Sequence, residues 1–173
     1  MTYRLLLPFF LLALVLPATA LARVTPDDIY QSKRTAFEAS LTKISDPVKR
    51  EAIRQADGML NQVNQTVSGR FDVDLAKLSA ILEEEKSRQK VTKTVVAYGR
   101  GSTPLDAAAY YLNYAEEAVA YQKSRDYTPQ IYGNNLSGAV AASINNLQAD
   151  LQTLQGKVLR AKTEIKKAVD FYE

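Results

Sequence analysis

Tyrosines and carboxylates are the side chains with which this chain could do chemistry, because it contains no histidine and no cysteine. A Ser-His-Asp triad and a Cys-His pair are therefore out of reach. Zinc, haem and di-iron bundle sites also lose the ligands they mostly use. Carboxylate-only chemistry remains open, as a calcium site or a glycosidase pair. No calcium-loop or glycosidase motif is present. The run Glu83-Glu84-Glu85 reads as a solvated helix end, since long charged side chains are rarely buried unpaired. Gly99-Arg100-Gly101 lacks the strand-and-helix context that phosphate-binding glycine motifs need. No catalytic, metal-binding or cofactor-binding residue is assigned, and no cofactor is expected.

The tyrosines are more informative. Leu105, Ala109, Leu112 and Val119 share one face of a helix expected over 104–125. At about 100° per residue, Tyr110, Tyr114 and Tyr121 fall on the opposite face. Two outcomes are open. The helix sits centrally and buries both faces, with the hydroxyls reaching water or backbone. Alternatively, the tyrosine stripe is a docking surface, where the residue gives large contact area at small entropy cost. Tyr110, Tyr114 and Tyr121, with neighbouring Tyr111, are the candidate partner-binding residues. Stacking of a glycan on the same rings is the variant reading. Glu116 lies on the Leu112/Val119 side, so if buried there it is expected to pair with Lys157, Arg160 or Lys162, or with an arginine of the first helical hairpin.

The element that must position these residues is the longest. From 134 to 172, Val140, Ile144, Leu147, Leu151, Leu154, Val158, Ala161, Ile165 and Ala168 recur at steps of three and four. They form one seam on a helix roughly 55 Å long. The flanks of that seam are Asn145, Gln152, Leu159 and Lys166 on one side and Asn146, Thr153, Arg160 and Lys167 on the other, neutral residues and then like charges, with Leu159 widening the stripe. A self-sufficient dimeric coiled coil puts opposite charges there, so packing within a bundle is expected. Gly156 inside the helix suggests a close crossing. The end near Ile165, Val169 and Phe171 is expected to overhang its shorter neighbours.

The remaining helices have start and stop signals. Thr25-Pro26-Asp27-Asp28 opens a helix over 26–44, and Asp46-Pro47 opens one over 47–68. Gly69 is placed as its left-handed cap. Phe71, Leu75, Leu78 and Leu82 then carry a helix over 73–90, capped by Asp72 or Asp74. Residues 91–98 are rich in β-branched side chains and read either as extended or as a continuing helix. Ser102 to Asp106 reads as the cap of the tyrosine-bearing helix. Two glycosylation-like triplets, at Asn64 and Asn135, read as chance matches in an amide-rich sequence.

Residues 1–22 have the anatomy of a secretory signal peptide: Arg4, an apolar run from Leu5 to Pro17, and small residues before cleavage after Ala22. The run is short for a span and is interrupted by Pro8 and Pro17, although retention as an anchor is the alternative. Removing this segment takes Arg4 and no acid, so the formal charge falls from +3 to +2. That balance does not point to nucleic acid. Without cysteine there are no disulfides, so core packing or partners must hold the fold.

Three stretches together carry a likeness: Leu41 to Arg50, Val95 to Gly101, and Tyr111 to Gln122. In these the chain resembles small secreted helical proteins of candidate-phyla bacteria, an uncharacterised group. The resemblance implies location and fold class, and no activity. The expectation is an all-α, antiparallel bundle of four to five helices with one long C-terminal helix, forming a single domain over 23–173. Its expected role is non-catalytic: contact with a protein partner or with itself, at the cell envelope or after secretion. Contact with the cell surface would be weak, with no stable membrane span after cleavage. A small-molecule or glycan-binding module is the alternative.

Overall fold

The structure, a computed structural model, describes residues 26–92 and 103–173. The expected signal segment 1–22, the expected Thr25 cap, residues 93–98 and the Gly99–Ser102 stretch lie outside the described residues. Among the described residues there are four helices and no strand: α1 (Pro26–Thr42), α2 (Pro47–Thr92), α3 (Pro104–Ser124) and α4 (Leu136–Tyr172). The expected all-α class holds, and the last helix is long. α2, α3 and α4 pack against one another. α1 joins them through a small cluster in which Phe37, Leu41 and Ile53 are buried.

Two helix starts follow the capping residues. Asp46 Oδ1 accepts from the backbone N–H of Val48 at 2.9 Å. Thr103 and Asp106 form a reciprocal capping box with Pro104 in the first turn, which satisfies two of the N–H groups that every helix start leaves orphaned. This arrangement also holds the Asp106 carboxyl below its usual pKa, chiefly through the Thr103 hydroxyl.

The largest departure from the sequence reading is α2. The helices expected over 47–68 and 73–90 are one helix of 46 residues. Gly69 is an interior residue, without the positive φ of a left-handed cap. Neither Asp72 nor Asp74 caps a helix start; Asp72 pairs with Lys123 and Asp74 with Lys77. The physical reason is phase. Ile53, Asp57, Leu60, Asn64, Ser68, Leu75 and Leu82 are all buried, and their spacing carries one face unbroken past Gly69. A glycine costs about 1 kcal/mol in a helix interior. Each buried leucine beyond it contributes about 1.5–3 kcal/mol, so burial wins.

The main core lies where α3 covers α2 and α4. Leu75, Leu82, Leu112, Val119, Leu154 and Ile165 are among its buried members. The C-terminal half of the α4 seam is buried as expected. Of the residues named for an overhang, Ile165, Val169 and Phe171, only Phe171 is exposed. Ile165 is buried, because α3 and the far part of α2 reach it, and Ile144 in the N-terminal half is 47% exposed. Gly156 is not at a crossing either, since a Cβ built there has nothing within 4 Å.

Gly69→Ala separates the two readings of α2. A Cβ at Gly69 also meets nothing within 4 Å, so the substitution should stabilise the protein by about 0.5–1 kcal/mol, seen as a higher melting temperature. A lower melting temperature would mean that the helix does end there.

Candidate functional site

The structure brings together a polar junction that the sequence reading did not single out. α3 ends at Ser124, against the middle of α2. A helix end leaves its last carbonyls short of partners, and the Gln122 carbonyl here accepts one backbone bond, from the Arg125 N–H at 3.1 Å. Asn64 of α2 supplies more: its Nδ2 donates to the Gln122 carbonyl at 3.0 Å and to the Arg125 carbonyl at 3.2 Å. Gln65 Nε2 donates to the Lys123 carbonyl at 2.9 Å. Asn64 is wholly buried, so its triplet is no glycan acceptor. Gln122 Nε2 donates to Asn64 Oδ1 at 2.8 Å and to the Tyr127 hydroxyl at 2.7 Å. Tyr127 in turn donates to Asp150 Oδ2 of α4 at 2.7 Å, and Arg125 pairs with the same carboxylate at 3.0 Å. Burial and the Asp150 bond push the Tyr127 hydroxyl pKa up to about 12.

A second polar cluster adjoins it. Arg34 of α1 bonds Asp57 of α2, and its Nη2 reaches Asp126 Oδ1 at 3.0 Å. The Asp126 oxygen also accepts from the Thr128 hydroxyl at 2.7 Å. Burial alone would lower the Arg34 pKa, but the Asp57 and Asp126 carboxylates outweigh it and raise the value. This cluster fastens α1 and the α3–α4 connection to α2.

The tyrosines form an outer face. Tyr110, Tyr114 and Tyr121 are all exposed. The Tyr110 and Tyr114 rings are parallel within 2°, with centroids 6.4 Å apart. Lys157 of α4 lies 4.5 Å from the Tyr114 centroid, and Arg160 lies 4.8 Å from that of Tyr111. Arg125 stands 5.8 Å from the Tyr121 ring. Tyr111 differs from the other three, being partly buried against the main core. No protein-family model matches the chain. Comparisons with curated proteins and with solved structures likewise gave no significant match. The side chains themselves must therefore carry the functional reading.

Two carboxylate expectations are corrected. Glu116 is exposed and pairs with none of Lys157, Arg160 and Lys162; the face it shares with Leu112 turns outward at its position. Glu85 is only 2% exposed, unlike its neighbours Glu83 and Glu84. It is satisfied along its own helix by Arg88 at 3.2 Å and Gln89 at 2.7 Å. Among the described residues no group of three acidic side chains is arranged to hold a metal ion.

Tyr127 gives the junction a spectroscopic signature. Its ordinary hydroxyl pKa is about 10, so folding raises it. The stabilisation is complete below pH about 10 and is lost as pH rises through about 12, because the unfolded chain ionises first. Absorbance titration at the phenolate band should show one late tyrosine, near 12. That step should vanish in Tyr127→Phe. A late step that survives the substitution would remove Tyr127 from this role.

Proposed function

We propose that the chain is a non-catalytic extracytoplasmic protein that mediates protein–protein contacts at the cell envelope, with Tyr110, Tyr114 and Tyr121 as its docking surface. The observation that carries this reading is the exposed, partly stacked tyrosine row beside Lys157 and Arg160. Rigid rings with polar tips, next to cations already oriented by the rings, offer contact area with little side-chain entropy left to lose. Tyr111 serves as the base of this surface. Location outside the cytoplasm rests on the leader-like anatomy of residues 1–22. None of the described helices is long and apolar enough to cross a membrane.

The helices are read as an up-and-down antiparallel course. Asn64 meets Gln122, and Lys86 acts on Asp106, which supports opposite directions for α2 and α3. Tyr127 with Asp150 and Tyr111 with Arg160 support the same for α3 and α4. A glycan or small-molecule module is the second reading. The parallel Tyr110 and Tyr114 rings favour it, since such a pair can stack a sugar face.

The test is a triple variant, Tyr110→Ser, Tyr114→Ser and Tyr121→Ser. Each side chain is exposed, so the melting temperature should move by no more than about 2 °C. Crosslinking and capture from an envelope fraction should lose the wild-type protein partner by at least about tenfold. A glycan array bound by wild type and not by the variant would favour the second reading. Undiminished capture by the variant, or recovery of the protein in the cytoplasmic fraction, would sink the proposal.

A further inference from the structure

The face of α2 and α4 turned away from α3 is an open apolar furrow. Its middle section, about 530 Å³, is lined by Met59, Val63, Phe71, Ile144, Leu147 and Leu151, among others. Through Ala56, Val140 and Ile144 it continues into a section lined by Lys49, Ile53 and Leu136. Through Phe71 and Gln155 it continues into one lined by Leu78, Val158 and Leu159. The furrow thus runs from Lys49 to Leu78 on α2.

The distribution of residue types on α2 is inverted there. The helix turns Asp57, Asn64 and Ser68 into the chain's own interior, where all three are buried. Its more strictly apolar stripe faces the furrow: Met59 is 59% exposed and Val63 46%. Leu159 and Ile144, from α4, are also exposed beside the furrow. Over 57–68 this helix buries three polar residues beside Leu60 while Met59 and Val63 stay open, which leaves an apolar surface for a second contact.

We propose that this surface is covered by a second copy of the same chain, the two furrows packing face to face about a two-fold axis. Three observations select that occupant. No charged side chain lines the middle section, and its polar members are the amides Gln148, Gln152 and Gln155. An amide both donates and accepts, so two identical rims are self-complementary; charged side chains line only the end sections, as Lys49, Lys162 and the mutually paired Asp74 and Lys77. The face is roughly 40 Å long at 1.5 Å per residue and about 20 Å across two helices, or about 800 Å² per copy. That is the area of a standard stable interface. Finally, the furrow is open along its length, whereas small-ligand sites enclose most of the ligand's surface. The product is a four-helix layer of two α2/α4 pairs, with α3 outside on each copy.

The absence of native cysteine permits a direct test on the full chain. Sedimentation of wild type over a concentration series up to about 100 μM should show a reversible dimer. Met59→Glu should weaken it by at least about 30-fold, since the two-fold axis places the charge in the interface twice. Helicity should be unchanged, because Met59 is exposed within the monomer. Under mild oxidation, whichever of Met59→Cys, Val63→Cys and Ile144→Cys lies nearest the two-fold axis should give disulfide dimers at least about tenfold faster than Ala149→Cys, on the other side of α4. A wild-type monomer throughout the series, which would leave the furrow to a different partner, overturns the proposal. So does a Met59→Glu dimer of wild-type strength, or equal crosslinking from Ala149→Cys, which would place self-association elsewhere.

Discussion

A 21-residue helix cannot cover a pair of helices of 46 and 37 residues, and this mismatch governs the molecule. At 1.5 Å per residue α3 is about 31 Å long, against about 69 Å for α2. Where α3 lies across the pair, the core is dry, with Leu75, Leu112, Val119 and Leu154 buried together. Beyond it, α1 and the segment Tyr127 to Ile131 take over, and they cover one side only. The exposed apolar residues on the opposite side are what a three-helix cross-section leaves behind when no fourth helix is supplied.

Stopping α3 part-way also creates an electrostatic difficulty. A helix that ends against another helix presents orphan carbonyls away from bulk water, and unsatisfied buried polar groups are costly. The chain resolves this by placing Asn64 and Gln65 on α2 at that level. The capping groups then need satisfying themselves, which draws in Gln122, Tyr127 and Asp150 in sequence. Such a junction fixes axial register, because sliding α2 by one turn would strand several of its members at once. Arg34 does the same for α1, engaging Asp57 and Asp126 from two different segments. Asn64 on the α2 seam is thus a consequence of where α3 ends, and Asp57 of where α1 docks.

Much of the architecture was legible in the sequence, and the failures share a cause. Periodic apolar positions and capping residues located α1, α3 and α4 to within a few residues, because those signals are local. The break at Gly69 was misread because a strong local signal met a stronger nonlocal one, the burial of Leu75 and Leu82 against helices far along the chain. The apolar residues Leu60, Val63 and Val67 mark one stripe on α2, whereas the buried line is Leu60, Asn64 and Ser68. Apolar character predicts burial only where the partner surface is apolar. Here the partner is a helix end, which calls for amides. Glu116 and Glu85 were misplaced for a related reason: a helical wheel assigns a face but not how much of it a neighbour of finite length covers. The tyrosine stripe was legible because its face is set by α3 alone.

The two surfaces argued to make contacts lie on different sides of α4. Lys157 and Arg160 turn toward the α3 tyrosines, whereas Leu151, Gln152 and Gln155 line the furrow. Closing the furrow with a second copy would therefore leave both tyrosine faces free, on opposite sides of the assembly. Two identical docking faces on one rigid body raise apparent affinity for a multivalent target without any new contact, because the second engagement becomes intramolecular. A partner repeated on a surface suits that geometry, and a single soluble ligand does not. Under that arrangement a small tyrosine face would suffice, because two weak contacts engaged together would hold where one alone would not.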